Sequence, residues 1–496
     1  MGETGRLRRR RLSSRESEVS NGKSSRKNSF SDQKKRVEAL GPCEKVIHQE
    51  QDSLFSLSSG WTNYRGFFNL SMLLLVISNG RVGLENIIKY GILINPWVWV
   101  QMWVEDASLH NWPNLAIIIG SNISILTVYT LELILEKGWL SNTFAALFYV
   151  ILFPVHLIVP AAITLMSMTT NPVFAMSAMG VIVVEVLKLI SYVHVNYWAR
   201  SARVQLRALK EKLHEAAHAP KTSERKNSIP ELKFELSEFE MASLYPASLT
   251  LKNLYYFMFA PTLCYEFKFP RTKRIRKHFL LKRLVEFIFL SFLIAALIQQ
   301  WIVPLVQNSI APLSDMALSR CLERLLKLAI PNHMIWLLWF YTFFHSALNL
   351  NAELLRFADR EFYRDFWNAE TISYFWKSWN IPVHRFALRH IYLPMIRHNF
   401  KKNTAVIAVF LVSAFFHEYL VSVPLQMFRL WACYGMLAQI PLSYVTDKVI
   451  RGGRTGNIIM WLSLIVGQPL AILMYMHDWY VIHNPTSQYN AARNAT

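Results

Sequence analysis

Apolar runs about 20 residues long, the length a helix needs to cross a bilayer, recur along most of this chain between polar stretches rich in Lys and Arg. Windows at 67–85, 113–135, 139–166, 172–195, 284–306, 328–350, 404–424, 430–446 and 457–478 predict about nine membrane-spanning helices. The expected fold class is all-α and polytopic, because the hydrocarbon core offers backbone groups no water to bond. Two shorter patterns differ. Residues 200–217 carry Lys and Arg at helical spacing with Val204, Leu206, Leu209 and Leu213 interleaved, which predicts an amphipathic surface helix. Leu254-Tyr255-Tyr256-Phe257-Met258-Phe259-Ala260-Pro261 is apolar but too short to span, and reads as a re-entrant or interfacial piece.

The polar stretches set organisation and topology. Residues 1–50, rich in Arg, Ser, Lys, Asn and Glu, cannot bury a core and are expected to be a disordered cytosolic tail. Apolar side chains return at Leu54, Phe55, Leu57 and Trp61, so 51–66 either docks on a neighbouring subunit or packs on its own bundle. Residues 67–480 form the membrane domain and 481–496 a short tail. Positive loops stay cytosolic. That rule puts the Arg8 to Arg11 head, 200–252 with 271–277, 351–402, and Lys448, Arg451 and Arg454 inside, and the weakly charged connections 92–112 and 166–172 outside. The N-terminus is then cytosolic and the C-terminus, with the sequon Asn494-Ala495-Thr496, lumenal. The first apolar span is the expected insertion signal.

Composition removes several classes. The net charge of +20 accompanies 53% hydrophobic residues, and the basic residues flank spans without any nucleic-acid motif. Topology and anionic headgroups account for the charge, and no nucleic-acid partner is expected. Cys43, Cys264, Cys321 and Cys433 form no C-x-x-C pair, and His333, His345, His384, His390 and His477 have no ligand spacing, so neither a disulfide framework nor a metal is predicted. Arg26-Lys27-Asn28-Ser29 recurs as Arg225-Lys226-Asn227-Ser228, which permits phosphorylation by a base-directed kinase and also fits chance in Lys- and Ser-rich loops.

The candidate chemistry centres on His417, inside the 404–424 window. An ionisable residue at membrane depth is costly and is a functional hypothesis by default. From the residues alone it reads equally as a base facing a cavity or as a structural histidine bonded to a neighbouring helix. Ser413 lies one turn earlier on the same face, so a Ser–His nucleophile pair is conceivable, as is plain helix packing. Glu418 points about 100° away from His417; it either supports His417 through water or backbone distortion, or pairs with another helix. Gln439 and Gln468 are uncharged polar residues within predicted spans, suited to donating into a chamber or bonding between helices. Upstream, Phe362-Tyr363-Arg364-Asp365-Phe366-Trp367-Asn368 is an aromatic, charged segment outside the membrane. If helical, it sets aromatic rings at the interface with Arg364 and Asp365 toward water.

These strings resemble the membrane-bound O-acyltransferases, and within them the diacylglycerol and sterol acyltransferase branch. Phe362 to Asn368 is similar to its F-Y-x-D-W-W-N motif, and Phe415-Phe416-His417-Glu418-Tyr419 to its F-H-E-Y histidine. Stretches 255–266, 299–304, 324–336, 379–384 and 413–429 are similar to the diacylglycerol-acylating rather than the sterol-acylating members, and the resemblance covers about 51–480. One departure is Phe366, which replaces the first Trp of the motif, keeps an apolar face and lacks the indole N–H.

The resemblance implies transfer of a fatty acyl group from acyl-CoA to 1,2-diacylglycerol in a membrane-enclosed chamber, by direct transfer and without a cofactor. It implies His417 as general base and Asn380, in Trp379-Asn380-Ile381-Pro382, as second catalytic residue, with Glu418, Gln439 and Gln468 as possible support. It assigns acyl-CoA recognition to Phe362, Tyr363, Arg364, Asp365, Phe366, Trp367, Asn368, Trp379, His384 and Ser413. Expected partners are acyl-CoA, diacylglycerol, membrane lipid and a second copy of the chain, as dimer or tetramer, in the endoplasmic reticulum membrane. A sterol O-acyltransferase shares both motifs. A transporter is the alternative from another class, and would be expected to show interrupted half-helices in inverted repeats.

Overall fold

The computed structural model describes residues 65–105, 113–167, 171–218, 244–310 and 318–483. The expectations for residues 1–50, for all but the end of 51–66, for the 484–496 tail with its sequon, for Cys43 and for both Arg-Lys-Asn-Ser strings lie outside the described residues. By internal contact the chain divides into a unit ending at Val82 and a unit from Gly83 onward. The candidate site lies within the second.

The described residues form helices throughout: α1 (Arg65–Tyr90), α2 (Pro96–Glu105), α3 (Pro113–Gly120), α4 (Asn122–Glu136), α5 (Asn142–Met166), α6 (Pro172–His218), α7 (Leu251–Phe259), α8 (Lys277–Leu297), α9 (Val303–Gln307), α10 (Leu318–Phe340), α11 (Leu348–Leu354), α12 (Ile372–Ser378), α13 (Ile381–Ala387), α14 (Leu393–Arg397), α15 (Lys402–Leu425), α16 (Trp431–Leu437), α17 (Gln439–Tyr444) and α18 (Gly453–His483). Wider π turns at Ile298–Ile302, Tyr341–Ala347 and Leu388–Tyr392 join α8 to α9, α10 to α11 and α13 to α14, and a fourth, Val445–Ile450, follows α17. The starts of α5, α7, α12 and α13 are capped by the side chains of Ser141, Thr250, Thr371 and Asn380, each accepting from a backbone N–H that the helix leaves without a partner.

Among the described residues seven helices are long and apolar enough to cross a membrane: Asn69–Tyr90, Pro113–Glu136, Asn142–Met166, Pro172–His214, Lys277–Gln307, Lys402–Ser422 and Gly453–Tyr480. The chain is thus a multi-pass membrane protein. Length and composition do not establish the other two of the nine expected spans. Window 328–350 falls in the rod from α10 to α11, where Asn332, His333, His345 and Asn349 interrupt the apolar run. Window 430–446 is broken into α16, α17 and a π turn.

Two other expectations change. Residues 200–217 do not form a separate surface helix but continue the predicted 172–195 span as one helix, α6. Arg200 explains the continuity, because its guanidinium pairs with the fully buried Glu132 of α4, which also accepts from Tyr149 Oη at 2.8 Å. The 254–261 piece is α7 followed by a short turn, and it is anchored rather than merely interfacial. Leu254 and Phe257 are buried in a core cluster with Leu189, Tyr192 and Tyr265. The buried Lys188 of α6 donates to the carbonyls of Phe257, Met258 and Ala260 at 2.9, 2.9 and 2.7 Å, satisfying the end of α7. A membrane-depth charge is affordable only with such partners. Around this frame α15 packs on α6 and α16, and α10 packs on α18.

Candidate active site

His417 lies at mid-length on α15. Protein surrounds the residue on all sides, yet its ring is not packed over by neighbouring atoms. It therefore faces an internal space. Its Nδ1 lies 2.8 Å from the carbonyl oxygen of Ser413 and 3.4 Å from Ser413 Oγ. A carbonyl only accepts, so Nδ1 carries a proton, and in the neutral ring Nε2 holds the lone pair. The helix backbone thus sets the tautomer a general base requires. The same bond weakens the Ser–His pair as a nucleophile device, because the nitrogen nearest Ser413 Oγ is already donating to the Ser413 carbonyl.

Glu418 does not share that space. It is buried on a neighbouring face of α15, about 100° round the helix, and accepts from Leu430 N at 2.9 Å, Cys433 N at 3.1 Å, Tyr475 Oη at 2.9 Å and the Ser422 hydroxyl. Four donors fill its acceptor capacity and tie α15 to α16 and α18. Of the two readings open from the sequence, the pairing with other helices is the one the structure builds. Gln468 likewise accepts from Asn332 Nδ2 at 3.5 Å, an interhelical contact between α18 and α10. Gln439 opens α17 and is half-buried.

Asn380 caps α13: its Oδ1 accepts from Val383 N at 3.2 Å. That bond fixes the side-chain amide and assigns its oxygen, so the Nδ2 donors point away from the helix. The segment carrying Trp379 and Asn380 meets α15 through Trp376 and Phe410, whose rings are 6.4 Å apart. His417 follows Phe410 by two helical turns, about 10 Å along the axis. His384, on α13, is half-buried, and burial together with Lys377, Arg364 and Arg385 pushes its pKa down, which keeps the ring neutral.

The 362–368 motif is not an α-helix. Residues 361–365 are irregular, with Phe362 N bonding Arg360 O and Phe366 N bonding Arg364 O in tight turns, and Phe366–Asn368 is a single 3-10 turn. The reason is long-range bonding: Arg364 N donates to Ser378 O at 2.7 Å and Ile381 N to Phe362 O at 3.0 Å, so the segment is fastened to the end of α12 and the start of α13. Phe362 and Phe366 are each 2% exposed and belong to two separate aromatic clusters. Their part is to hold the motif in place. Phe366 packs against Phe340 at 4.6 Å and Trp336 at 6.1 Å. An apolar ring suffices there, which accounts physically for Phe where the family has Trp. Tyr363 Oη bonds His345 Nδ1 at 2.8 Å, Arg364 pairs with Glu361 at 2.8 Å, and Asp365 accepts from Tyr374 Oη at 2.7 Å. Trp367 and Asn368 stay exposed, and Trp379 packs edge and face among Phe344, Phe375 and Trp376.

Two anchors escaped the sequence reading. Asn457 of α18 donates to the carbonyls of Trp367 and Ala369 at 3.1 and 2.8 Å, and Gly453 N donates to Glu370 Oε2 at 3.0 Å. The run Gly452-Gly453-Arg454-Thr455-Gly456-Asn457 was the available signal. The other is Glu353, fully buried, which accepts from Arg276 N at 2.6 Å and Nη2 at 2.8 Å and forms an ion pair with Arg360 Nη2 at 2.5 Å. Burial raises its carboxyl, but the Arg276 and Arg360 bonds outweigh that and hold it down at about 2. Its folded value lies below the ordinary 4.5, so the stability it adds is complete above about pH 4.5 and lost as pH falls toward 2, and is worth roughly 3 kcal/mol. Glu353→Gln is expected to lower the unfolding temperature at pH 7, with the gap from wild type narrowing below pH 4.5 in thermal scans; a constant gap would reject the account.

Among the described residues no group of three or more His, Cys, Asp or Glu side chains is placed to hold a metal ion. Residues 139–477 match the membrane-bound O-acyltransferase family. The chain belongs to that family. It is 49% identical to diacylglycerol O-acyltransferase 1 of Bos taurus over 436 residues, covering 88% of this chain and 85% of that protein. Identity to diacylglycerol O-acyltransferase 1 of Homo sapiens is 48% over 443 residues, covering 89% and 86%. Diacylglycerol O-acyltransferase 1C of Glycine max is 36% identical over 420 residues, covering 84% and 75%.

Proposed function

We propose that this chain transfers a fatty acyl group from acyl-CoA to the free hydroxyl of 1,2-diacylglycerol, releasing CoA and triacylglycerol. The observation that carries the reading is a mid-helix histidine whose Nδ1 is held by the Ser413 carbonyl, leaving Nε2 unbonded, in a chain that matches diacylglycerol O-acyltransferases over most of its length. His417 Nε2 takes the acceptor proton as the hydroxyl oxygen attacks the thioester carbonyl. The oxyanion that forms is stabilised by donors, among them Asn380 Nδ2. Collapse breaks the carbon–sulfur bond, and the imidazolium returns its proton to the CoA thiolate, so the base is regenerated and no cofactor is needed. Enclosure within the membrane keeps out water, which would otherwise hydrolyse the thioester. The basic loops favour a cytosolic N-terminus with acyl-CoA arriving from that side and diacylglycerol from the bilayer. The chemistry suits the endoplasmic reticulum membrane, and 51–66 is the candidate for contact with a second copy.

Purified protein given oleoyl-CoA is expected to form triacylglycerol with diacylglycerol and little ester with cholesterol; the reverse preference would move the assignment to sterol acylation. Asn380 gives a finer test, because its cap and donor functions sit on different atoms. Asn380→Asp keeps the capping oxygen and loses the amide donor, so kcat is expected to fall about 10²-fold with folding retained. Asn380→Ala removes both, adding about 1 kcal/mol of destabilisation. An Asp variant as active as wild type would leave Asn380 a cap only.

A further inference from the structure

We propose that His156 and Glu185 act as one proton-sharing pair at membrane depth and position His417 through Leu157 and Tyr419; this rests on the acyl-transfer reading of His417. His156 stands near the middle of α5 and Glu185 within the apolar part of α6, both helices being candidate spans. His156 Nε2 and Glu185 Oε2 lie 3.6 Å apart, on side chains that are 2% and 14% exposed, and neither atom has another hydrogen-bond partner among the described residues. Ionisable groups at that depth persist when they complement one another. An imidazole nitrogen facing a carboxyl oxygen is complementary when one proton lies between them, on either side, and repulsive when none does, so the two groups hold their proton as a unit. Lys188, one turn further along α6, does not stand in for His156, because its donors go to the carbonyls of Phe257, Met258 and Ala260.

The pair sits where α5 cannot fix its own course. Pro154 and Pro160 flank it, and Pro160 has no N–H to give to the His156 carbonyl, the acceptor one turn before it. A membrane helix interrupted in this way takes its position from its neighbours. Two contacts supply that position. One is His156 with Glu185 of α6; the other is at the next residue, where the Leu157 carbonyl accepts from Tyr419 Oη of α15 at 2.8 Å. Tyr419 Oη also lies 3.3 Å from Met179 Sδ of α6, and Met179, Ile182 and Tyr419 share one buried cluster with Leu157 packed against it. Tyr419 follows His417 by two residues, about 3 Å along the helix axis, so the seat of its hydroxyl between α5 and α6 sets the depth and rotation of α15 where the base stands. A shift of α5 against α6 therefore reaches the His417 ring through one backbone carbonyl and one tyrosine.

The experiment measures acyl transfer from oleoyl-CoA to diacylglycerol by wild type, His156→Leu, Glu185→Leu, the double variant of both, and Tyr419→Phe, each normalised to protein that elutes as the folded species in detergent. Each leucine single leaves one polar group buried alone and is expected to lower kcat about tenfold with KM for oleoyl-CoA unchanged. The double variant leaves none and is expected to return to within about threefold of wild type. Tyr419→Phe removes one hydroxyl and is expected to lower kcat about as far as a leucine single, and adding it to His156→Leu should lower kcat little further, because both act through one contact. A pair that served stability alone would lower the melting temperature and leave kcat per folded protein unchanged, which would overturn the proposal. So would a double variant no better than the worse single, or wild-type kcat in Tyr419→Phe, a variant that tests the link even where the leucine singles do not fold. Triacylglycerol formation by wild type tests the acyl-transfer reading by itself, whereas the ratios between variants read the pair with whichever acceptor wild type uses.

Discussion

His417→Ala is expected to lower kcat by about 10³-fold, within the range a positioned general base contributes, while KM for acyl-CoA and the unfolding temperature change little. The split follows from where the ring lies. Its surface faces an internal space rather than packed neighbours, so its removal opens no hole in a close-packed core of the kind that destabilises by several kcal/mol. The bonds that fasten α15 to α16 and α18 belong to Glu418, one residue later and on a neighbouring face of the helix. Ser413→Ala is the informative companion. The Ser413 carbonyl, which holds Nδ1, survives that change, so a base acting directly on the acceptor should keep activity within about tenfold of wild type. A nucleophilic serine would lose as much as His417 does. Single-turnover release of CoA with and without diacylglycerol checks the same point: a burst without acceptor would establish an acyl-enzyme, and an active His417→Ala protein would remove the histidine from the mechanism.

The helices, and the place of His417 within one of them, were legible because their signals are local. A 20-residue apolar run and one histidine within it are properties of contiguous sequence. Glu418 shows what local signals omit: its adjacency to His417 invited a catalytic reading, but its partners, Leu430, Cys433 and Tyr475, come from other helices that no spacing rule connects to it. The i,i+4 spacing of the aromatics in the 362–368 motif is compatible with a helix, and the sequence alone leaves its conformation open. The motif's backbone is committed to Ser378 and Ile381, and each of those bonds was invisible until α12 was in place. The boundary at Arg200 failed for the opposite reason. The composition there turns basic and amphipathic, a true surface signature, but an ion pair with Glu132, 68 residues away, keeps the helix running through it. Long-range partners, more than local propensity, decided each of these cases.

The second large effect is expected at Gly456. A Cβ built there would lie 2.0 Å from the carbonyl oxygen of Glu370, a backbone atom that cannot swing aside as a flexible side chain would. Glu370 lies two residues after the 362–368 motif, and the surrounding bonds, from Asn457 to Trp367 O and Ala369 O, from Gly453 to Glu370, and from Ile372 N to Thr446 Oγ1 at 3.2 Å, clamp the motif to the start of α18 and the π turn before it. Gly456→Ala must therefore shift that stretch of backbone by about 1 Å or more, a misplacement that costs on the order of 10²-fold in a positioned site, with destabilisation of about 1–3 kcal/mol. Two further glycines separate the causes. Gly453 has φ +72° but open space at its Cβ position, so Gly453→Ala should show only the strain of left-handed backbone, about 1–2 kcal/mol, with the motif left in register. Gly467 has neither positive φ nor a close neighbour, and Gly467→Ala should be neutral or slightly stabilising. If Gly456→Ala instead resembles Gly467→Ala in both acyl-CoA kinetics and melting, the motif is not held by its contact with α18, and the exposed part of the motif must be positioned by α12 alone.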